Sequence, residues 1–351
     1  MTIKAAVLGA TGYVGGELLR LLSAHPDFEL AAAVSESRAQ TALAATFPHL
    51  KGAYPDAIFA SHKDWVEQLD SGSSLALFSA APHGMSAAMI AEAISRAASR
   101  NITTHVVDAS ADFRYADRNA FTAVYAMEHG APELLDQFSS GLPEHVSGKP
   151  TPHIGNPGCF ATAMLLGAVP LLSSGLVDEH LFISGITGST GSGRNATAGT
   201  HHPERHSNLY AYKALEHRHA PEVAAMTQAA SGTLPKLHFV PHSGPYARGI
   251  HATIHARLKS QASRDDLLKH FEQTYAGQPF VRLVDGTPRL KNVVASNYAE
   301  IGVAVDDEAV VAMVAIDNLV KGAAGGAVQW MNRLWDLDDA RGLEAAAPAW
   351  T

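Results

Sequence analysis

The sequence predicts an α/β protein in two parts: a doubly wound parallel-sheet domain, then a strand-rich α+β domain. Three observations predict it. The chain opens with an apolar strand that runs directly into a glycine loop and a helix. Strand and helix patterns then alternate to about residue 110, the mark of a parallel sheet. From about residue 156 the pattern turns to strands, some strictly alternating, closed by one last helix. A length of 351 residues suits two domains better than one.

The first strand is read at 3–8 and leads into Gly9-Ala10-Thr11-Gly12-Tyr13-Val14-Gly15-Gly16, followed by a helix over 17–25 that must stop before Pro26. Strand, glycine loop and helix in this order form the context in which a Rossmann-type fold holds a dinucleotide. In this GxxGxxG spacing Gly9 permits the tight turn, Gly12 lets the backbone approach a pyrophosphate, and Gly15 lets the helix pack close on the strand. Thr11, Tyr13 and Val14 lie in the same cradle, and the helix N-terminus faces the phosphates. A second strand, 28–34, ends in Ser35-Glu36-Ser37-Arg38. Ser35, Ser37 and Arg38 suit a 2′-phosphate and favour NADP, whereas Glu36 would repel one unless it points away. Further strands are expected at 74–82 and 104–110, with an alanine-rich helix over 84–99 between them. Ser110 and Arg114 then fall at a strand's C-terminal end, where ligands of such sheets bind. Arg114 is a candidate anion ligand; the alternative is a salt bridge with Asp112 or another acid.

The second part begins with the chain's single cysteine. Asn156-Pro157-Gly158 reads as a turn, and 160–172 is apolar and helix-compatible apart from Pro170. Cys159 therefore lies near a helix N-terminus, where backbone N–H groups and the helix dipole stabilise a thiolate. Two readings stay open on spacing alone, a nucleophile and a small core hydrophobe. A strand at 181–190 enters Gly188-Ser189-Thr190-Gly191-Ser192-Gly193-Arg194, a loop whose backbone donors could wrap a phosphate or the nicotinamide end of a cofactor. Arg194, at its end, is a second anion candidate. Glu216-His217-Arg218-His219-Ala220-Pro221-Glu222 supplies imidazoles for proton transfer beside a thiol, with Glu222 placed to orient one of them. If that segment is extended, His217 and His219 share a face. His201, His202 and His206 come without a cysteine or an ordered carboxylate set, so no metal site is expected. Strands are read at 237–244, 249–258 and 293–307, with Arg248 a third anion candidate. A buried strand over 310–322 leads into the closing helix at 322–335.

Composition narrows the function classes. The chain is 46% hydrophobic and 17% charged, enough to bury a large core, and its formal net charge is -8 with no basic block. Nucleic acid and anionic membrane surfaces are therefore not expected partners. No apolar run reaches membrane-spanning length, the residues before Gly9 form a strand rather than a signal peptide, and one cysteine fits a reducing compartment. The expected location is the cytoplasm.

These pieces together resemble the N-acetyl-gamma-glutamyl-phosphate reductases in their longer form. The resemblance runs in order through GATGYVGGELLRLL, SADFR, SSGLPE, GNPGCFATA, GSTGSGR, HRHAPE, ASNYAEIGV and IDNLVKGAAGGAVQ, nearly the whole chain. Two departures stand out. Phe160-Ala161-Thr162 replaces the family's Tyr-Pro-Thr, and Ser140 replaces the tyrosine before Gly141-Leu142-Pro143-Glu144. Neither removes a chemical group assigned here to catalysis.

The resemblance implies a dinucleotide domain of residues 1–155 plus 323–351 and a catalytic and oligomerisation domain of 156–322, the latter of the glyceraldehyde-3-phosphate dehydrogenase type. It implies NADPH-dependent reduction of N-acetyl-L-glutamyl 5-phosphate to the 5-semialdehyde in arginine biosynthesis, through a thioester on Cys159. His217, or else His219, would supply the proton. Ser189, Gly191 and Gly193 would line the nicotinamide, with Asn318 near it. Arg114 is the first candidate for a substrate anion, with Ser110 and Asn156 beside it and Arg194 and Arg248 behind. The partners are small molecules, the substrate and phosphate, and the assembly a homodimer or homotetramer. Rival readings are an aspartate-semialdehyde dehydrogenase, a reductase of carrier-bound aminoadipyl phosphate, and a catalytically silent NADP-binding scaffold.

Overall fold

A computed structural model describes residues 2–350, which divide into two units. The first unit comprises the chain up to Ser140, residues Gly148–Asn156 and residues Ala323–Glu344. Its seven strands are β1 (Ile3–Leu8), β2 (Phe28–Val34), β3 (Phe59–Ala60), β4 (Ser74–Ser79), β5 (Thr103–Asp108), β6 (Phe138–Ser140) and β7 (His153–Gly155). They form one sheet in the order β3-β2-β1-β4-β5-β7-β6, and every pairing is parallel. The central strands β1 and β4 are apolar almost throughout, as a sheet covered on both faces requires. Helices α1 (Tyr13–Leu22), α2 (Leu43–Thr46, one turn), α3 (Ser86–Ser99) and α4 (Arg118–Tyr125) follow the early strands. The order reverses between β1 and β4, and a sheet of this kind takes its ligand at such a switch point. Helix α1 begins four residues earlier than its apolar pattern indicates, because Gly12 acts as its N-cap.

The second unit holds Gly141–Ser147, Pro157–Gly322 and the residues from Ala345 on. The pieces 141–147 and 345 onward therefore depart from the division expected above, and Asn156 belongs to the first unit. Here the strands are β8 (Val177–Thr187), β9 (Tyr210–Ala211), β10 (Lys236–Ser243), β11 (Ile250–Leu258), β12 (Val281–Leu283), β13 (Ala299–Val305) and β14 (Ala309–Ile316). They make a mixed sheet in the order β12-β13-β14-β11-β8-β10-β9. Helices α5 (Cys159–Ser173), α7 (His219–Ser231) and α8 (Arg264–Thr274) pack together, and α5 lies on one face of this sheet; α6 (His202–Arg205) is a single turn, and α9 (Gly325–Leu334) belongs to the first unit. In β11 Ile250, Ala252, Ile254, Ala256 and Leu258 face the helices, and His251, Thr253, His255 and Arg257 face the other way. Residues 293–298 are not strand: only Ala299–Val305 of that stretch pairs.

Helix α5 is buried on all sides from Phe160 to Leu172, the pattern of a core helix. Pro170 sits inside it and cannot donate to the Leu166 carbonyl one turn earlier. The Tyr275 hydroxyl donates to that carbonyl instead, at 2.6 Å, so the helix continues to Ser173.

Candidate active site

In the first unit the glycine loop is fixed by contacts. Gly9 has φ +68°, and a Cβ there would lie 2.6 Å from the Ala80 carbonyl oxygen. A Cβ on Gly15 would lie 2.7 Å from the Ala10 carbonyl carbon, so only glycine lets α1 approach β1 this closely. At Gly12 a Cβ would meet little but the Gly9 oxygen at 3.8 Å, which leaves room for a ligand at the mouth of α1. At the end of β2 the hydroxyls of Thr11 and Ser35 lie 3.5 Å apart, and those of Ser35 and Ser37 lie 3.4 Å apart. Arg38 is exposed beside them. Glu36 accepts the His62 N–H with its carboxylate at 3.2 Å.

At the end of β5 the Ser110 hydroxyl donates to Asp108 at 2.7 Å, and Asp112 accepts N–H groups of Gly84 and Ala87 at 2.8 and 3.0 Å. Asp112 thus serves the start of α3. Burial pushes the Asp108 carboxyl above its ordinary range, the charge of Asp112 adds to that, and hydrogen bonds from Ser110 and Ser86 offset part of it. Arg114 is buried and donates to two backbone carbonyls, those of Asn156 at 3.0 Å and Ala109 at 3.2 Å. Asn156 is buried next to it, and its N–H donates to the Asp108 carbonyl at 2.7 Å.

The second unit carries the thiol. Gly158 caps α5 in extended conformation, and Cys159 is the helix's first residue, half-buried. Glu222, almost fully buried in the first turn of α7, accepts the Gly158 N–H at 2.7 Å. It was expected to orient an imidazole; what the geometry adds is a clamp on the turn that presents the thiol.

The HRHAPE segment is not extended, because α7 starts at His219 with Pro221 and Glu222 in its first turn, where proline is tolerated. The two imidazoles still converge, with ring centroids 4.7 Å apart. His217 packs edge-on against Phe160, the residue after the thiol, at 5.7 Å. Its Nδ1 accepts the His219 N–H at 3.2 Å, which makes Nε2 the protonated nitrogen of the neutral ring. Burial lowers the His217 pKa to about 4, with the Arg218 and Lys213 charges contributing, so the ring is neutral at pH 7. Tyr212 went unnoticed in the sequence, where nothing marks it. Its ring lies 5.8 Å from His217, and burial followed by the Cys159 charge pushes its hydroxyl above the ordinary range.

Two expectations about this unit are corrected. The amides of the 188–193 loop are largely spent: Gly188, Ser189 and Thr190 donate to Gly249, Tyr246 and Ala247, and Gly191 and Gly193 close onto the loop itself. Asn318 braces it, donating to the Thr190 hydroxyl at 3.0 Å and accepting the Gly249 N–H at 2.7 Å. What the loop offers a ligand is its outer side, with Ser189, Gly191, Gly193 and the exposed Arg194. Arg248 is not an open anion ligand. It pairs side-on with the fully buried Asp317, at 2.9 and 3.2 Å, and that carboxylate neutralises it.

Among the described residues no group of three His, Cys, Asp or Glu side chains converges as a metal site, and no helix is long and apolar enough to cross a membrane.

A dinucleotide-type parallel sheet in one unit and a helix-borne thiol over a mixed sheet in the other define a dehydrogenase of the semialdehyde type. Comparison with known proteins agrees: residues 4–145 match the semialdehyde dehydrogenase NAD binding domain, and 159–318 match the semialdehyde dehydrogenase dimerisation domain. The chain belongs to the N-acetyl-gamma-glutamyl-phosphate reductase family. It is 40% identical to the reductase of that name from Ectopseudomonas mendocina, covering 98% of this chain and 99% of the relative. It is 38% identical to the one from Symbiobacterium thermophilum over the full length of both, and 39% to the one from Methanosarcina mazei over 99% and 98%. Among solved structures, aspartate semialdehyde dehydrogenase II of Vibrio cholerae shares the fold with a TM-score of 0.68 at 18% identity, over 96% of this chain and 99% of that one.

Proposed function

We propose that the chain reduces N-acetyl-L-glutamyl 5-phosphate to N-acetyl-L-glutamate 5-semialdehyde, with NADPH as donor and a thioester on Cys159 as intermediate. The observation that carries this reading is Cys159 at the first position of α5, clamped by Glu222 and flanked through Phe160 by a neutral His217. Cys159 reacts as the thiolate that the N-terminus of α5 stabilises, its proton released to solvent. The thiolate attacks the acyl carbon, the acyl C–O bond to the phosphate breaks, and inorganic phosphate leaves with the electron pair and takes a proton from solvent. The reduced nicotinamide, when bound, supplies the hydride that the thioester carbonyl accepts. The C–S bond then breaks, the aldehyde forms and the sulfur departs as the thiolate again, with the His217 Nε2–H assigned as its hydrogen-bond donor. A thiol of low pKa serves both ends of this cycle, as attacking and as leaving group. His219 sets the tautomer of His217 through its backbone N–H.

The buried, carbonyl-held Arg114 is assigned to a substrate anion, with Ser110 and Asn156 as its neighbours. Gly9, Gly12 and Gly15 form the pyrophosphate cradle, with Thr11, Tyr13 and Val14 around it. Ser35 and Arg38 receive the 2′-phosphate that distinguishes NADP. Ser189, Gly191, Gly193 and Asn318 are assigned to the nicotinamide side. A mechanism that needs a reduced thiol fits the cytoplasm.

In the reverse direction the purified protein, given N-acetyl-glutamate semialdehyde, NADP and phosphate, should form NADPH. Arsenate should replace phosphate, since it also attacks a thioester. A signal independent of either oxyanion would refute the acyl-enzyme reading.

The assembly is read as a homodimer or homotetramer formed through the sheet face opposite α5. On that face His238, Phe182, His255 and Val311 are neighbours in register on β10, β8, β11 and β14. Phe182 is 55% exposed and stacks on His238 at 4.5 Å. An exposed aromatic at the middle of a sheet, in a unit matching a dimerisation domain, fits a second copy as its cover. Phe182→Asp should convert the oligomer to monomer in sedimentation velocity; an unchanged sedimentation coefficient would place the interface elsewhere.

A further inference from the structure

The position of Cys159 is set from behind. A methyl group built on Gly322 would lie 2.8 Å from Cys159 Cβ and 3.0 Å from its Cα, so the two backbones touch and Gly322 is the wall against which the first turn of α5 rests. Gly322 is in turn fixed from two sides. Its N–H donates to the Asp317 carbonyl at 2.9 Å. The Asp317 carboxylate accepts N–H groups of Ala295, Leu319 and Val320 at 2.6, 2.7 and 2.9 Å, besides pairing with Arg248. On the other side Lys321 points into the interior, where its Nζ donates to Glu144. The Lys321 and Glu144 side chains are 1% and 0% exposed.

Lys321 and Gly322 lie in a single π turn, Val320–Ala324. Such a turn is rare and concentrates at functional sites. A buried ion pair is also a poor device for stability alone, because desolvation offsets most of the attraction and apolar replacements of similar volume are often as stable. Glu144 and Lys321 are 177 residues apart in the chain, so the pair ties the 141–147 segment to the turn that carries Gly322.

We propose that Lys321 and Glu144 are a positioning pair for the thiol: acting through Gly322, they hold Cys159 at the N-terminus of α5. The proposal rests on the thiol mechanism above. The test is the double variant Lys321→Met/Glu144→Gln, which removes both charges together and leaves no lone buried ion. It should stay folded, with a melting midpoint close to that of the parent. Its kcat should fall by about 10- to 100-fold, the range expected for a misplaced reacting group, with KM for the acyl phosphate moved by no more than about twofold. Alkylation of Cys159 by iodoacetamide should slow by about tenfold at pH 7, with the apparent thiol pKa moved up as the sulfur leaves the helix N-terminus.

A folded double variant with parental kcat and alkylation profile would overturn the proposal, because a purely structural pair predicts that outcome. If the double variant does not fold, Gly322→Ala tests the same route with the ion pair intact. It should reproduce the slow alkylation and low kcat, and parental values there would overturn the proposal as well. Alkylation needs no substrate, so it reads the positioning even if the assigned acyl phosphate were wrong.

Discussion

Cys159→Ser is expected to abolish turnover, by about ten-thousandfold or more in kcat, equivalent to roughly 5.5 kcal/mol of barrier. The oxygen fails at both ends of the cycle. A serine hydroxyl does not ionise near neutral pH, so the N-terminus of α5 has no anion to stabilise, whereas a thiol with an ordinary pKa of about 8.5 is within reach of that field. Were an ester to form, its alkoxide would leave far more slowly than a thiolate after reduction. His217, neutral at pH 7 because burial lowers its pKa to about 4 and with its Nδ1 occupied by the His219 N–H, is no base for an alcohol. The variant should fold and bind NADPH as the parent does, because the dinucleotide loop lies in the other unit. Near-normal rates from Cys159→Ser, measured as phosphate-dependent NADPH formation, would reject covalent catalysis altogether.

The parts of this molecule that the sequence discloses are those whose partners are local. Gly9, Gly12 and Gly15 sit within one loop between β1 and α1, so their spacing already states the geometry. Cys159 at the head of α5 is likewise legible, because Asn156-Pro157-Gly158 and the apolar run after it fix both the turn and the helix. Distance along the chain is what hides the rest. Arg248 reads as an anion ligand because Asp317, the acid that occupies it, lies 69 residues further on. Glu222 is recognised in the right cluster, but its bond to Gly158 spans 64 residues. The 188–193 loop carries the residue types of a phosphate cradle, yet three of its amides are consumed by 246–249, a segment brought to it by the β8–β11 pairing. The His217–His219 pair survives a wrong local reading: in a helix start rather than a strand, the rings meet because His217 Nδ1 turns back onto the His219 N–H. Tyr212 gives no signal in a single sequence; Lys321, Gly322 and Glu144 lie in runs that carry the resemblance, but nothing there says that they touch.

Acid is expected to destabilise both units well before the surface carboxylates titrate. Burial holds His217 and His153 at pKa values of about 4, with the Arg218 and Lys213 charges contributing at His217 and His105 at His153. Burial also lowers His145 to about 4, assisted by Lys321 and opposed by Glu144. Each ring is neutral in the folded chain, while an unfolded histidine binds a proton near pH 6.5. Between these values the unfolded state carries more protons, so stability falls as pH falls from 6.5 towards 4, and it is fully present above 6.5. A gap of about 2.5 units amounts to roughly 3 kcal/mol for each of the two well-buried rings, His217 and His153. That is a large share of the roughly 5–15 kcal/mol that a folded protein has in reserve. Glu144, held low by Lys321 against its burial, adds a loss in the same direction below its ordinary range. Asp108 works the other way: burial raises its pKa, so its protonation in acid favours the fold and offsets part of the loss.

His217 and His145 lie in the second unit and His153 in the first, so two transitions rather than one should move. Thermal melts recorded from pH 7.5 to 4.5 should show both midpoints dropping through the window below 6.5. His217→Gln should flatten the slope of the second unit alone, because glutamine has no proton to gain. Midpoints that stay level down to pH 4.5 would mean that the buried imidazoles are reached by water and titrate normally.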